Sequence, residues 1–332
     1  MAKGWLRAIA DTAALAGRIS IVGLNDLDLS AARRLGDEFG LGAVATGTDL
    51  GALLDATKPD LLFDVVIPGA RHDVVATGLR HGCHVLSEKP MATSLAEATD
   101  LVERARRAGR VHAIVQNRRF NEGVRRIVAT LESGSLGTLN AVHCDFFVGA
   151  HFGGFRESMD HVLLVDMAIH TLDAARFISG KVPLAVYCHE SNPKSSWYAR
   201  DSVANAIFEL SDDVVFTYRG SWSAEGANTS WDSSWRIVGS KGTLLWDGAD
   251  SFDVKVVNGD TGFFRDLKNL DAAPPADPMQ THGHASVLLD FINSIDAGTS
   301  PETAGFDNLK SLAMVFAAIE SARTRQRVQI AA

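Results

Sequence analysis

The sequence predicts an α/β domain built on a parallel sheet with helices on both faces. A second domain follows, with an open, mostly antiparallel sheet covered by helices on one face. Two observations carry this. From residue 18 to about 116, short β-branched runs alternate with helical patterns: "RISIVGLN", "SAARRLGDEFG", "DLLFDVVIP", "HDVVATGLRHG", "CHVLSE", "SLAEATDLVERARRAG", "RVHAIVQN". Strand, helix, strand at this spacing means right-handed crossovers and parallel pairing. After about residue 135 the texture changes to longer alternating strands, "LNAVHCDFFV", "SVANAIFEL", "VVFTYRGSWS" and "WRIVGSKGTLLWDG", the last with a Gly-Ser-Lys-Gly reversal expected of a hairpin. The 332 residues, 46 % of them apolar, suffice for two cores, so the boundaries are set at 1–117 and 118–332, with the C-terminal helices packing back toward the first domain.

Local punctuation agrees with these elements. Ser94 and Glu97 form a capping-box pattern, and Gly40, Gly82 and Gly109 stand where helices end. In the second half one strong helix, "HVLLVDMAIHTLDAARFISG", is closed by Gly180. The Pro- and Asp-rich segment "NLDAAPPADPMQ" (269–280) reads as a loop, and "HASVLLDFINSIDAG" and "NLKSLAMVFAAIESARTR" read as two further helices.

Composition removes several function classes. Lys+Arg 32 against Asp+Glu 40 gives a net charge of −8, and the densest basic run, "RARRAGR" at 104–110, suits a helix C-terminus, so nucleic acid is not an expected partner. The three cysteines, Cys83, Cys144 and Cys188, are odd in number and lie inside strand-like runs; they read as buried thiols of a cytoplasmic protein, neither a disulfide framework nor a zinc site. No stretch reaches the length of a membrane span, and "MAKGWLRAIADTA" lacks an apolar signal core.

In open parallel sheets ligands settle beyond the carboxyl ends of the strands. Three such ends carry polar chemistry here: "VGLND" ends in Asp26, "DVVIPGARH" in Pro68 and His72, and "HVLSEKP" in Glu88 and Lys89. Taken singly, Asp26 could be a capping aspartate, His72 a helix-start residue and Lys89 an exposed loop lysine. Together, on consecutive strands, they point to a Rossmann-type nucleotide site, with Asp26 placed to accept from ribose hydroxyls. Pro90 restricts Lys89 to extended backbone and makes a cis peptide accessible. Further on, Asp166 and His170 are four residues apart, hence on one helix face, which Asp173 continues. A carboxylate beside an imidazole raises its basicity and orients it, as a general base requires. The pair could instead be a buried structural hydrogen bond. No second cluster at ligand spacing completes a metal site, so none is expected.

Glu88-Lys89-Pro90, the capped helix after it, "QNRRF" (116–120) and "LLVDMAIHTLDAARFISG" (163–180) together resemble the glucose–fructose oxidoreductase, inositol dehydrogenase and MocA family of NAD(P)-dependent oxidoreductases. The resemblance extends over nearly the whole chain, through "WRIVGSKGTLLW" to "DNLKSLAMVFAAIESARTRQRVQI". It implies that Lys89 lies between nicotinamide and substrate with Asp166 and His170 facing it from the second domain. The histidine would take the hydroxyl proton, and the lysine and aspartate would position the alcohol. Approximate alignment adds Arg118, His151 and His161 as substrate contacts. It implies a sugar, cyclitol or related polyol as substrate; the carboxylate of Asp26, with no basic residue before Arg33, favours NAD over NADP. Two alternatives stand beside this reading: a sugar- or nucleotide-binding protein without turnover, and an NAD-dependent glycoside hydrolase.

The chain departs from the family at its start. Family members open with an apolar strand and a Gly-x-Gly loop that cradles the pyrophosphate, whereas "MAKGWLRAI" resembles the helix that follows that loop. A reading frame continuing upstream would be expected to supply that strand. Without it, two neighbouring strands should lack a partner, a core should lie open, and nucleotide binding should be poor. Trp222, Trp231, Trp235 and Trp246 are expected on or near the outer face of the second sheet, covered by a partner subunit in a homodimer or homotetramer.

Overall fold

A computed structural model describes residues 1–42 and 44–331. In chain order the elements are α1 (Ala2–Asp11), β1 (Gly23–Asn25), α2 (Leu29–Glu38), β2 (Ala45–Gly47), α3 (Leu50–Thr57), β3 (Leu61–Asp64), α4 (Pro68–Arg80), β4 (His84–Ser87), α5 (Leu95–Ala108) and β5 (His112–Ile114), then α6 (Glu122–Glu132), β6 (Leu139–Phe147), α7 (Ile169–Ser179), β7 (Pro183–Ser191), β8 (Val203–Leu210), β9 (Val215–Ser221), β10 (Ser234–Gly239), β11 (Gly242–Trp246), β12 (Phe252–Val257), β13 (Leu267–Leu270), α8 (His284–Ala297), α9 (Gly305–Thr324) and β14 (Val328–Gln329). The chain divides into two compact units, residues 1–116 with 284–309, and residues 117–283 with 310–332. No helix among the described residues is long and apolar enough to cross a membrane.

The first unit is α/β, with every strand pairing parallel, but its sheet is not continuous. β1 pairs with β2 (Leu24 opposite Thr46), and β3, β4 and β5 form a separate sheet (Phe63 opposite Leu86, Leu86 opposite Ala113). A cavity of about 700 Å³ borders both β1 and β3, lined by Leu24, Asn25 and Asp26 on one side and by Leu62, Phe63 and Asp64 on the other. The expected open core is thus observed. The predicted strand "RISIVGLN" is regular only over Gly23–Asn25, and residues 19–22 line the cavity. The helices start as their sequences dictate. Asp28 accepts from Ser30 N at 2.9 Å, Asp49 from Ala52 N at 3.0 Å, and Ser94 Oγ from Glu97 N at 3.2 Å, each satisfying an amide that the helix leaves open. Glu97 reaches back to Thr93, one residue before the cap. Asp28 and Asp49 also show that an aspartate just past a strand can serve as a helix cap.

The second unit holds a nine-stranded sheet in the order β13-β12-β11-β10-β6-β9-β8-β7-β14, antiparallel except for the parallel pair β6 and β9. The Gly239 to Gly242 reversal is the two-residue hairpin expected, with Val238 opposite Thr243. Segment 269–280 is not wholly a loop: Asn269 and Leu270 pair with β12 as part of an edge strand. One sheet face is apolar and packed, with Phe208, Phe216, Tyr218, Ile237 and Leu244 buried. The other presents Tyr187, Ile207, Arg219 and Arg236 to solvent. The tryptophan expectation is corrected here. Trp222, Trp235 and Trp246 are at most 4 % exposed and belong to the interior; only Trp231, at 49 %, is open. Trp246 packs so closely on α6 that a Cβ on Gly123 would lie 2.0 Å from its ring, so only glycine lets helix and sheet meet there. All three cysteines are free thiols, Cys83 and Cys144 buried and Cys188 half-buried.

Candidate functional site

In the first unit β4 delivers its residues to the carboxyl edge of the sheet. Ser87 Oγ lies 3.1 Å from His112 Nε2 inside the core, and Glu88 follows, its amide donating to Asp64 O at 2.9 Å. The Glu88 side chain turns inward and accepts from the Trp5 indole at 2.8 Å, with His284 Nε2 3.6 Å away. Burial pushes this carboxyl up, but the nearby His284 and the hydrogen bond from Trp5 outweigh it and leave the group below its usual range. Lys89 is half-buried, and the Lys89–Pro90 peptide is cis.

A residue that sequence reasoning passed over holds this turn. Arg71, fully buried, donates to Asp64 Oδ2 at 2.7 Å, to Val66 O at 2.6 Å and to Pro90 O at 2.6 Å, tying the ends of β3 and β4 together. Desolvation pushes Asp64 up despite the guanidinium beside it. The only signal in the sequence was an arginine one position before the histidine that drew attention. His72 itself lies one turn into α4, its Nε2 2.7 Å from Asp100 Oδ2 on α5, and so links two helices. Pro68 occupies the first position of α4, where its missing N–H costs nothing. Asp26 is exposed just past β1 and accepts from Asp28 N at 2.9 Å.

These positions bear on how the unit fits a dinucleotide. Asp26 presents an exposed carboxylate just past β1, and the end of β4 presents Lys89, both at the carboxyl edge of their sheets. The amide cradle for a pyrophosphate, which would top a strand between β1 and β3, is not found among the described residues; the cavity stands there instead.

In the second unit the helix carrying Asp166 is not α-helical throughout. Leu163–Ala168 winds as a π-helix that runs into α7, a local widening that recurs at functional sites. Asp166 accepts from Arg156 Nε at 2.9 Å, and that guanidinium lies 5.1 Å from the ring centres of both Phe152 and Phe155. His170, at the start of α7, lines a crevice of about 10 Å³ with Arg118, Met167, Thr171, Trp231 and Asp232. Arg118 is ion-paired with Asp232, which also accepts from Asn121 Nδ2 at 2.7 Å, and burial lowers the arginine to about 10. Arg118 and His170, 52 positions apart, are therefore brought to one place, where Trp231, expected on the outer face of the sheet, and Asp232, not singled out in the sequence, join them.

Asp173 departs from the expected continuation of that face. It is fully buried, with Arg119 Nε and Nη2 each 2.7 Å from its carboxylate and Ser311 Oγ donating at 2.6 Å, a structural anchor closed to ligands. His151 is exposed, stacked on Trp197 at 3.7 Å between ring centres and 2.8 Å from Glu225. His161 lies apart from the His170 crevice lining, its Nδ1 2.7 Å from Glu190 Oε2 and 3.4 Å from Asp201 Oδ2.

Comparison with known proteins sets this geometry in a lineage. Residues 3–116 match the oxidoreductase family with the NAD-binding Rossmann fold, and residues 124–245 match the GFO/IDH/MocA C-terminal domain. A D-apiose dehydrogenase of Rhizobium rhizogenes is 27 % identical over 253 residues, covering 74 % of this chain and 72 % of its own. An oxidoreductase from Agrobacterium radiobacter, solved in complex with NAD+, L-tartaric acid and magnesium, superposes with a TM-score of 0.85 at 22 % identity, covering 99 % of this chain and 95 % of that one. A levoglucosan dehydrogenase solved with NADH and L-sorbose gives 0.83 at 18 %, covering 100 % and 96 %. At these identities the structures speak for the fold, while the two domain matches, together spanning most of the chain, place it plainly: it belongs to the GFO/IDH/MocA family of NAD-binding oxidoreductases.

Proposed function

We propose that the chain moves a hydride between NAD and a secondary hydroxyl of a sugar, cyclitol or related polyol, with Lys89, Asp166 and His170 as the groups that handle the alcohol. NAD, when bound, supplies the hydride acceptor. Lys89 donates a hydrogen bond to the hydroxyl oxygen and orients it. His170 accepts the hydroxyl proton, and Asp166, held by Arg156, fixes the polar surroundings of that transfer. The observation that carries the reading is the crevice of the second unit, where His170 lies among a buried ion pair, Arg118 with Asp232, and the half-exposed ring of Trp231. The crevice itself has room for no more than a water, but the exposed Trp231 ring at its mouth, beside these fixed polar groups, suits a ring bearing hydroxyls. Relatives named for dehydrogenation of apiose and inositol support the substrate class. Asp26 repels a 2′-phosphate, which favours NAD over NADP.

The substrate-domain sheet leaves Leu184, Tyr187, Ile207 and Val215 exposed on β7, β8 and β9, and a second copy of the chain is the proposed cover. Three free thiols fit a cytoplasmic location. One rival reading is sugar binding without turnover. A panel of polyols and aldoses, followed at the nicotinamide absorbance with saturating NAD or NADP, separates the two. On the best substrate, Lys89→Ala and His170→Ala are expected to lower turnover about 10²–10⁴-fold with melting temperature near wild type. Wild-type turnover in both variants would overturn the assignment.

A further inference from the structure

His161, Glu190 and Asp201 are 29, 40 and 11 positions apart in sequence, and the fold brings them together. Glu190 is the penultimate residue of β7, Asp201 sits in the loop ahead of β8, and His161 stands two residues before the π-helical segment. One donor atom from each, His161 Nδ1 and one carboxylate oxygen from each acid, lie within 4.8 Å of one another. Two carboxylates so close repel unless a cation, a protonated His161 or a metal ion, stands between them.

We propose that this cluster is a site for a first-row divalent cation such as Zn²⁺ or Mn²⁺, bound by His161 Nδ1, a carboxylate oxygen of Glu190 and a carboxylate oxygen of Asp201. Donors around such a cation stand about 2.0–2.2 Å from it, which puts neighbouring donors roughly 3–3.5 Å apart. The distances of 2.7 Å from His161 Nδ1 to Glu190 and 3.4 Å to Asp201 are close to that span, so small rotations open the coordination sphere.

A second observation, independent of the clustering, points the same way. The Glu190 side chain is only 4 % exposed, and its Oε1 is buried with no hydrogen-bond partner. A carboxylate oxygen taken out of water and left without a donor is costly, and a cation is the ligand that removes the cost. One imidazole with two carboxylates selects metals that accept both nitrogen and oxygen. Three protein donors leave positions for water or a ligand oxygen. Bound there, the cation would clamp the end of β7 and the loop before β8 to the start of the helix that carries Asp166 and His170. The inference does not rest on the redox assignment.

The test uses the full chain stripped with a chelator and titrated with zinc chloride, and separately with manganese chloride, by calorimetry and by thermal melting. One equivalent per chain is expected, with a rise in melting temperature of several degrees. Glu190→Gln and His161→Ala should each weaken binding at least tenfold and lose the thermal response. Asp201→Asn leaves the His161–Glu190 bond in place, so it separates a metal site from a simple ion pair: it too should lose the thermal response while melting near wild type without metal. Absence of saturable binding to the wild-type chain, or equal binding by all three variants, would overturn the site.

Discussion

The two sheets answer the same demand, a partner for every strand edge, in different ways. In the sheet of the second unit most neighbours in space are neighbours in sequence: β7, β8 and β9 follow one another, as do β10, β11, β12 and β13, and short reversals set their register. In the nucleotide unit each pairing is made through a crossover helix, so no strand brings its partner with it. Among the described residues, strands β1 and β3 are each paired on one side and border the same cavity on the other. Antiparallel order is supplied locally. Parallel order is a property of the whole unit, set by the helices that cross between its strands.

The largest expected effect tests how tightly the second unit is locked. Asp173→Asn leaves the Arg119 guanidinium buried without its bidentate carboxylate and should destabilise the chain by about 3–5 kcal/mol in chemical denaturation. A loss below 1 kcal/mol would mean that the anchor is dispensable. The next effect aims at the gap. Joining an apolar strand and a glycine-rich turn ahead of Met1 gives β1 and β3 a common neighbour and adds amides for the pyrophosphate. NAD affinity, read by calorimetry, should rise about 10–100-fold, as two or fewer charge-assisted hydrogen bonds would supply. Unchanged affinity would show that the cavity is not what limits binding.

A smaller effect is a slope. His112 is buried in β5, and desolvation, helped by the charge of Arg71, lowers it to about 3. The unfolded chain takes up a proton on this residue near pH 6.5 while the folded chain does not. Its contribution is therefore complete above pH 6.5 and declines by about 1.4 kcal/mol per pH unit as pH falls toward 3. His112→Gln should flatten the acid limb of a stability profile over that window; parallel limbs would assign the slope to other groups.

The sequence revealed the strand and helix alternation, the Ser94 cap, the hairpin at Ser240-Lys241 and the open core, because each follows from local pattern or from counting strands. It drew attention to Lys89, Asp166 and His170 through a family resemblance. It did not reveal Arg71, whose role depends on three acceptors from three segments, nor the Arg118–Asp232 pair, whose members are 114 positions apart. Asp173 was misjudged because helical spacing gives a face but not what covers it; Ser311, 138 positions on, supplies the cover. The tryptophans were misplaced for the same reason, since a large ring on a strand fits either face until the packing partner is known.

The hydrogen bond from Trp5 to Glu88 gives the nucleotide unit a light of its own. Of the six tryptophans, Trp5 alone lies in that unit; Trp197, Trp222, Trp231, Trp235 and Trp246 are in the other. Its indole is 3 % exposed and bonded to the carboxylate next to Lys89, so its emission should be blue, sensitive to the ionisation of Glu88, and dimmed when a reduced nicotinamide absorbs nearby. Replacing Trp5 with phenylalanine would subtract that signal and leave the emission of the second unit, so the two halves of one chain can be watched separately by difference.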